Sequence, residues 1–409
     1  MRRAMHDLIG VLVYDRSLYD VGIGGLMSRV EWFERAIDRR NTESIKWCAY
    51  DRDVLPMWVA DMDFASPPVV IEALETRVRH GVFGYPGQSE ELRSRLVERM
   101  WELYRWRITE EAVVFLPNVV VGFNLAARAV CRRGDGLVYQ PPVYFPILRV
   151  PGNSHTEAQP SPLKRSRDGY YEPDLVGLRS AITETTRMLL LCNPHNPVGR
   201  VFTEEELAGM AEACLENDII VCSDEIHSDL VYSSHRHIPI ASLSPEIGAR
   251  TITLIAPSKT FNIAGMGLAI AIIPDQDLRE RFSNAREGLV SSPPILGYTA
   301  ALAAYAHGQA WHRELLLYLE GNRNFLSEYV DSELPGVSVC PSEATFLAWI
   351  DCRNLGLDPS PHEFFLERAR VALNDGASFG AGGEGFVRMN FGCPRSQLQE
   401  ALHRMKAAL

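Results

Sequence analysis

The sequence predicts an α/β protein: a large domain with a mostly parallel central sheet flanked by helices, and a small α+β domain built from both chain termini. Three observations carry that reading. From about residue 110, short apolar runs alternate with helix-like segments. The runs are rich in Ile, Val and Leu without polar alternation, which suits strands covered on both faces. The last hundred or so residues change character, to one long amphipathic segment followed by single strands and helices.

In chain order, Ala112–Leu116 is an apolar run and Val120–Cys131 has helical spacing. Leu137–Tyr139 is strand-like and stops at Pro141-Pro142. Arg187–Cys192 (RMLLLC) reads as a buried strand ending at Asn193-Pro194. Thr203 followed by Glu206 spells a capping box for a helix to about Asn217. Ile219–Cys222, Thr251–Ile255 and Leu268–Ile273 are three further strands. Trp311–Val330 predicts a long helix, Phe346–Ile350 a strand, His362–Leu373 a helix and Phe386–Phe391 a strand. Ser396 with Gln399 is expected to cap a final helix. Asp375–Gly385 carries five glycines, at 376, 380, 382, 383 and 385, and reads as a loop. The expected division is an N-terminal extension 1–28, small-domain residues 29–63, a large domain 64–305 and the rest of the small domain 306–409. Met27, inside the extension, is a second candidate start.

The 409 residues are 46% hydrophobic and 23% charged, an ordinary globular balance and enough chain to bury a large core without staples. Lys and Arg total 41 against 52 Asp and Glu, a net charge of −11. That sign argues against nucleic acid or an anionic membrane as partner. No run approaches the ~18 apolar residues of a membrane span. Leu8–Tyr14 is apolar but Asp15 and Arg16 end it, with no small-residue cleavage site after them, so no signal peptide is expected. The two nearest of the eight cysteines, Cys214 and Cys222, are too far apart for a C-x-x-C pair. Cys192 and Cys222 lie in apolar runs and read as small buried hydrophobes of a reduced, cytoplasmic compartment. His227, His235 and His237 cluster without H-E-x-x-H spacing, and no metal site is expected.

Out-of-place polar residues gather at the carboxyl ends of predicted strands, where open α/β sheets bind ligands. Asn193–Gly199 follows RMLLLC, Ser223–His227 follows IIVC, and Pro257–Thr260 follows TITLIA. Asp224 is either a cap for a following helix or a ligand carboxylate. Lys259 opens a glycine-containing loop, and a desolvated lysine there can form a Schiff base. A cofactor that works as an electron sink through such a lysine also needs a carboxylate on its ring nitrogen, and Asp224 fits that part. Asn118 is either a plain helix N-cap or part of a phosphate cradle at that helix start. Tyr144, among prolines, either stacks on a flat ring or packs a rigid turn. Arg388 is one charge in an apolar strand, so its partner is either an internal carboxylate or a bidentately bound substrate carboxylate.

At these residues the chain resembles the fold-type I, class I and II aminotransferase superfamily of pyridoxal phosphate enzymes. The matching motifs are Asn193-Pro-His-Asn-Pro-Val-Gly199, Ser223-Asp-Glu-Ile-His227 and Ala256-Pro-Ser-Lys-Thr-Phe-Asn-Ile-Ala-Gly265. Leu55-Pro-Met-Trp-Val-Ala-Asp-Met-Asp-Phe64 and Phe83-Gly-Tyr-Pro86 narrow the resemblance to the MalY/PatB branch of cystathionine β-lyases and related C–S lyases. It runs from about Asn41 to the C-terminus and leaves out residues 1–28. It implies pyridoxal 5'-phosphate as cofactor, Lys259 as its Schiff-base lysine and proton-transfer base, and Asp224 at the pyridinium nitrogen. It implies Asn196 at the ring hydroxyl oxygen, Tyr144 on the ring face, and the Val120 and Val121 amides with the Ser258 hydroxyl at the phosphate. His227 stands where many relatives have a tyrosine facing the ring oxygen. Arg388 would clamp the substrate carboxylate, with the Ala60 backbone nearby. Tyr85 would reach the phosphate of the neighbouring subunit, which implies a homodimer with shared sites.

The implied reaction is α,β-elimination of a cysteine thioether, cystathionine or another S-conjugate, to thiol, pyruvate and ammonia. Transamination, decarboxylation of a bulky S-conjugate and a non-catalytic binding role are the alternatives. Many aminotransferases carry a phosphate-binding arginine eight residues after the lysine; Gly267 stands there instead, as in the lyase branch. Relatives commonly have aspartate after the tryptophan of Lys46-Trp-Cys48, and this chain has Cys48. Trp58, the 141–146 turn and the 291–298 loop are expected pocket walls, with Ser291–Gly297 either an entrance loop or a surface connector.

Overall fold

Seven strands form the central sheet: β1 (Val113–Leu116), β2 (Gly136–Tyr139), β3 (Glu157–Pro160), β4 (Thr186–Cys192), β5 (Ile220–Asp224), β6 (Thr251–Ile255) and β7 (Ala269–Ile272). Their order is β1-β7-β6-β5-β4-β2-β3. β7 is antiparallel to β1 and β6, and the remaining pairs are parallel. The computed structural model describes residues 31–409; the expected 1–28 extension and Met27 lie outside the described residues.

The lack of polar alternation has a direct structural cause. In β4, Met188, Leu190 and Cys192 enter one core cluster with Leu137, Cys222 and Leu254, while Leu189 and Leu191 enter another with Val138 and Val221. Both faces are covered, so both sets of alternating side chains are apolar. Among the described residues, the helices of ten or more residues are α1 (Pro68–His80), α2 (Glu90–Tyr104), α3 (Val119–Val130), α4 (Phe145–Ser154), α5 (Glu204–Glu216), α6 (Gln276–Arg286), α7 (Ile295–His307), α8 (Gln309–Glu333) and α9 (Arg395–Ala408). Phe123 of α3, Ile147 of α4 and Phe282 of α6 pack on the first face. Leu207, Met210 and Cys214 of α5 pack on the second. Each such side chain contributes about 1.5–3 kcal/mol by leaving water. Gly122 lets α3 approach the sheet, since a Cβ there would lie 2.8 Å from Leu254 Cδ2. The capping box forms: Glu206 N donates to Thr203 Oγ1 and Thr203 N donates to Glu206 Oε2.

A smaller antiparallel sheet contains β8 (Ser338–Val339), β9 (Leu347–Asp351), β10 (Asn374–Asp375) and β11 (Phe386–Asn390), in the order β8-β9-β11-β10. Leu55–Pro56 pairs in parallel with Val371–Ala372, which ties an N-terminal segment to this C-terminal region.

Three C-terminal expectations are corrected. The 362–373 helix is short: Pro361–Phe364 runs into a π-turn at Phe365–Ala369, and Arg370 turns left-handed at φ +54°. Buried, β-branched Val371 then pairs with Leu55 instead of extending the helix. Ser396 does not cap α9. The helix begins one residue earlier, after Pro394, and the Tyr318 hydroxyl accepts from Arg395 N at 2.7 Å. The glycine-rich segment is not wholly loop: Asp375 ends β10, and Gly376–Phe379 makes a 3-10 turn on its carboxylate. Likewise, helix α7 begins at Ile295, inside the expected 291–297 loop. Among the described residues no helix is long and apolar enough to cross a membrane.

Candidate active site

β4, β5 and β6 are parallel, with Cys192 beside Asp224 and Asp224 beside Leu254. Their carboxyl ends therefore open onto one place. A cavity of about 170 Å³ lies there. Lys259, Asp224, Asn196, Tyr144, His227, Ser258, Val120 and Ala60 all line it.

Lys259 sits in the short helix Pro257–Thr260 directly after β6. Its Nζ donates to the Ala60 carbonyl at 2.6 Å. Burial, reinforced by the charge of Arg388, lowers the amine to about 8, while Asp61 and Asp224 pull the other way. The lysine is thus partly neutral near physiological pH, as a nucleophile or base must be.

Asp224 ends β5 and is 3% exposed. No helix follows it; residues 226–229 form a turn, which removes the helix-cap reading. Its Oδ1 accepts from Ile226 N at 3.2 Å. Burial lifts the carboxyl to about 7, against that hydrogen bond and the charge of Lys259. The folded chain therefore holds this proton while the unfolded chain, near 3.9, has released it. As pH rises from about 4 to 7, Asp224 destabilises the ligand-free fold by up to about 4 kcal/mol, and the penalty stays above pH 7. Urea denaturation should show wild type losing stability relative to Asp224→Asn across that window. A pH-independent difference would contradict the assignment.

Arg388 lies in β11, 2% exposed. Its hydrogen bonds run to neutral oxygens: Asn196 Oδ1 at 3.0 Å, Trp58 O at 3.0 Å and Asn374 Oδ1 at 2.6 Å. Its Nε is buried without a partner. An internal carboxylate is therefore not what compensates it, and burial lowers it to about 10. Such a cation is set to receive an anion.

Tyr144 is the N-cap of α4, and its N donates to Asn196 O at 3.0 Å, which couples the two residues. Burial raises its phenol. His227 is 2% exposed, its Nδ1 has no partner, and its ring lies edge-on to Phe346. Burial, then the charges of Lys259 and Arg388, lowers it to about 3, so it is neutral. The three clustered histidines are divided by the fold: His237 pairs with Glu225 at 2.9 Å, and His235 lies 3.8 Å from Glu343.

At the start of α3, Asn118 Oδ1 accepts from Val121 N at 2.8 Å. Asn118 caps the helix and also lines the cavity. Val121 is corrected: its amide is already bound by that cap, and Val119 and Val120 line the cavity instead. Gly267 adopts φ +63° near Pro294 and Pro117, a backbone state that disfavours arginine. Tyr85 lies outside this cavity, fully exposed between α1 and α2. Trp58 contributes its carbonyl to Arg388, and its indole donates to Lys46 O. Cys48 is exposed, with Sγ 3.3 Å from Arg40 O.

Sequence reading missed Asn374, Asn262 and Asn390. Asn262 binds Met62 N, Met62 O and Phe64 O, fixing the Lys259 loop to residues 62–64. Asn390 carried a usable signal, lying two residues after Arg388 and so on the same face of a strand.

Residues 52–405 match the model of aminotransferase class I and II. The chain belongs to the class I and II aminotransferase family. Within it, the chain falls in the branch of MalY and PatB that its motifs resemble. Cystathionine β-lyase PatB of Bacillus subtilis (strain 168) is 39% identical, over 92% of this chain and 99% of PatB. A crystal structure of OvoB is 43% identical at TM-score 0.88, covering 92% of this chain and 98% of OvoB. The PLP-bound C–S lyase from Staphylococcus hominis is 33% identical at TM-score 0.87, covering 92% and 98%.

Proposed function

We propose that the protein is a pyridoxal-phosphate-dependent carbon–sulfur β-lyase that eliminates the thiol of a cysteine thioether. One observation carries the reading: a lowered lysine amine and a raised aspartic carboxyl line one cavity, and an arginine without a carboxylate partner stands behind its Asn196 wall. Relatives named cystathionine β-lyase and C–S lyase over nearly their whole length support the reaction type.

The residues fit the cofactor. The unpartnered buried His227 Nδ1 and Arg388 Nε, the helix start at Val119 and Val120, and Ser258 are polar features the protein itself leaves open. Asp224 would hold the ring nitrogen, Asn196 and His227 the ring oxygen, Tyr144 the ring face, and Val120 with Ser258 the phosphate. When bound, pyridoxal phosphate supplies an electron sink for charge at the substrate Cα.

Arg388 binds the substrate carboxylate and sets the Cα–H bond toward Lys259. Lys259, with its amine near neutrality, takes that proton. Asp224 would pass its proton to the ring nitrogen and pair as a carboxylate with the ring cation so formed, whose charge offsets the cost of ionising in this buried site. The Cβ–S electron pair leaves with the thiolate, and the released aminoacrylate hydrolyses to pyruvate and ammonia. The test is cystathionine or another cysteine thioether supplied without keto acid, with pyruvate, thiol and CO2 measured.

The assembly proposed is a homodimer in which Tyr85 reaches the partner's cofactor phosphate. Tyr85 is fully exposed, with Val82 and Phe83 at 61% and 55% beside it, an apolar segment that a second copy would cover. Tyr85→Phe should weaken cofactor retention without dissociating the dimer; sedimentation showing an active monomer would contradict this. Residues 64–305 are assigned to the cofactor-binding domain, and 29–63 with 306–409 to the small domain, supported by the Leu55–Val371 pairing. A cytoplasmic location fits eight free cysteines.

A further inference from the structure

We propose that Asn390 is a positioning residue for Lys259: it fixes the backbone of residues 58–61 so that the Ala60 carbonyl meets the lysine amine. The proposal deepens the lyase reading and rests on Lys259 as its base.

The segment is held by side chains at four successive carbonyls. Trp58 O accepts from Arg388 Nη2 at 3.0 Å. Val59 O accepts from Asn390 Nδ2 at 2.5 Å. Ala60 O accepts from Lys259 Nζ at 2.6 Å. Asp61 O accepts from Asn390 Nδ2 at 2.6 Å and from Lys46 Nζ at 3.3 Å. Two of these four carbonyls therefore face Arg388 and Lys259, and the two on either side of Ala60 converge on one amide group.

Asn390 is suited to that place. It is fully buried, and its Oδ1 accepts from Gly392 N at 2.8 Å, which fixes the amide's orientation. Its backbone N donates to Met57 O at 2.8 Å, so the same residue also sets the start of the segment. An aspartate would turn acceptors onto two carbonyl oxygens, and leucine, of similar shape, would offer no donor. Arg388 and Asn390 share one face of β11. One strand thereby fixes both the group expected to take the substrate carboxylate and the segment that aims the base. Geometry of this kind is sensitive: a displacement of about 1 Å can cost on the order of 100-fold in rate.

Asn390→Leu removes both donors, and Asn390→Ser retains a single hydroxyl as a milder variant. In cofactor-free protein, hydrogen exchange of residues 57–64 should rise about tenfold or more in Asn390→Leu, while residues 251–260 stay protected. In the loaded enzyme kcat should fall by on the order of 100-fold, with cofactor content and KM within about threefold of wild type. Where Asn390→Leu does not fold, Asn390→Ser is read on the same scales, with smaller shifts in the same directions. In a Lys259→Ala background rescued by added methylamine, the Asn390 substitution should cost no further rate. Unchanged exchange at 57–64, or a further loss in the methylamine-rescued background, would overturn the proposal. Failure of the lyase reading looks different: thioether turnover would then be absent from wild type, while the exchange result would still stand.

Discussion

Lys259→Ala is expected to abolish the borohydride-reducible covalent link between protein and cofactor and to remove nearly all turnover. The amine is the lowered, nucleophile-ready group of the cavity, held at 2.6 Å from Ala60 O directly after β6. Loss of a positioned proton-transfer group alone costs about 10²–10⁴-fold, and loss of the covalent attachment adds to it. Residual turnover should recover in part with added methylamine, which supplies a free amine at the vacated position. Mass spectrometry of the reduced protein is the check. Cofactor reduced onto another lysine would remove Lys259 from its role.

Arg388→Ala carries the second large effect. The guanidinium is buried, its hydrogen bonds go to neutral oxygens, and its Nε is unsatisfied. In the proposed role, a bound substrate carboxylate would be its complement. Truncating one side of such a buried charge pair costs about 2–5 kcal/mol, or roughly 30- to 5,000-fold in kcat/KM. Both KM and kcat should suffer, because the arginine is proposed both to bind the substrate and to orient the Cα–H bond. Arg388→Lys should recover little, since an ammonium cannot make the planar two-point contact. An unchanged KM for the amino acid would contradict the assignment.

The central sheet was legible because burial on both faces writes itself into composition: β4 is RMLLLC with either set of alternating residues apolar. β3 was not legible. It is a mostly exposed edge strand, Glu157–Pro160, with no apolar face to betray it. The helix expected through Leu373 failed because long-range pairing of Val371 with Leu55 outweighed local helical spacing. Ser396 failed for a related reason: Tyr318 of α8, distant in sequence, already satisfies the first amide of α9. At the site, Lys259, Asp224 and Arg388 stood out as charges in apolar surroundings. Asn390 and Asn374 did not, because an asparagine's value lies in which carbonyl or guanidinium it meets. The occupied amide of Val121 was hidden likewise, since only the fold shows that Asn118 takes it.

The most direct measurement of the central claim is the product balance for a cysteine thioether given as sole substrate. A carbanion with a thiolate leaving group at Cβ expels it sooner than it regains a proton, so no amino acceptor is needed. The account predicts pyruvate, ammonia and thiol in equal amounts, with no keto acid added and no CO2 released. Turnover that requires stoichiometric keto acid, or CO2 release without pyruvate, would contradict it.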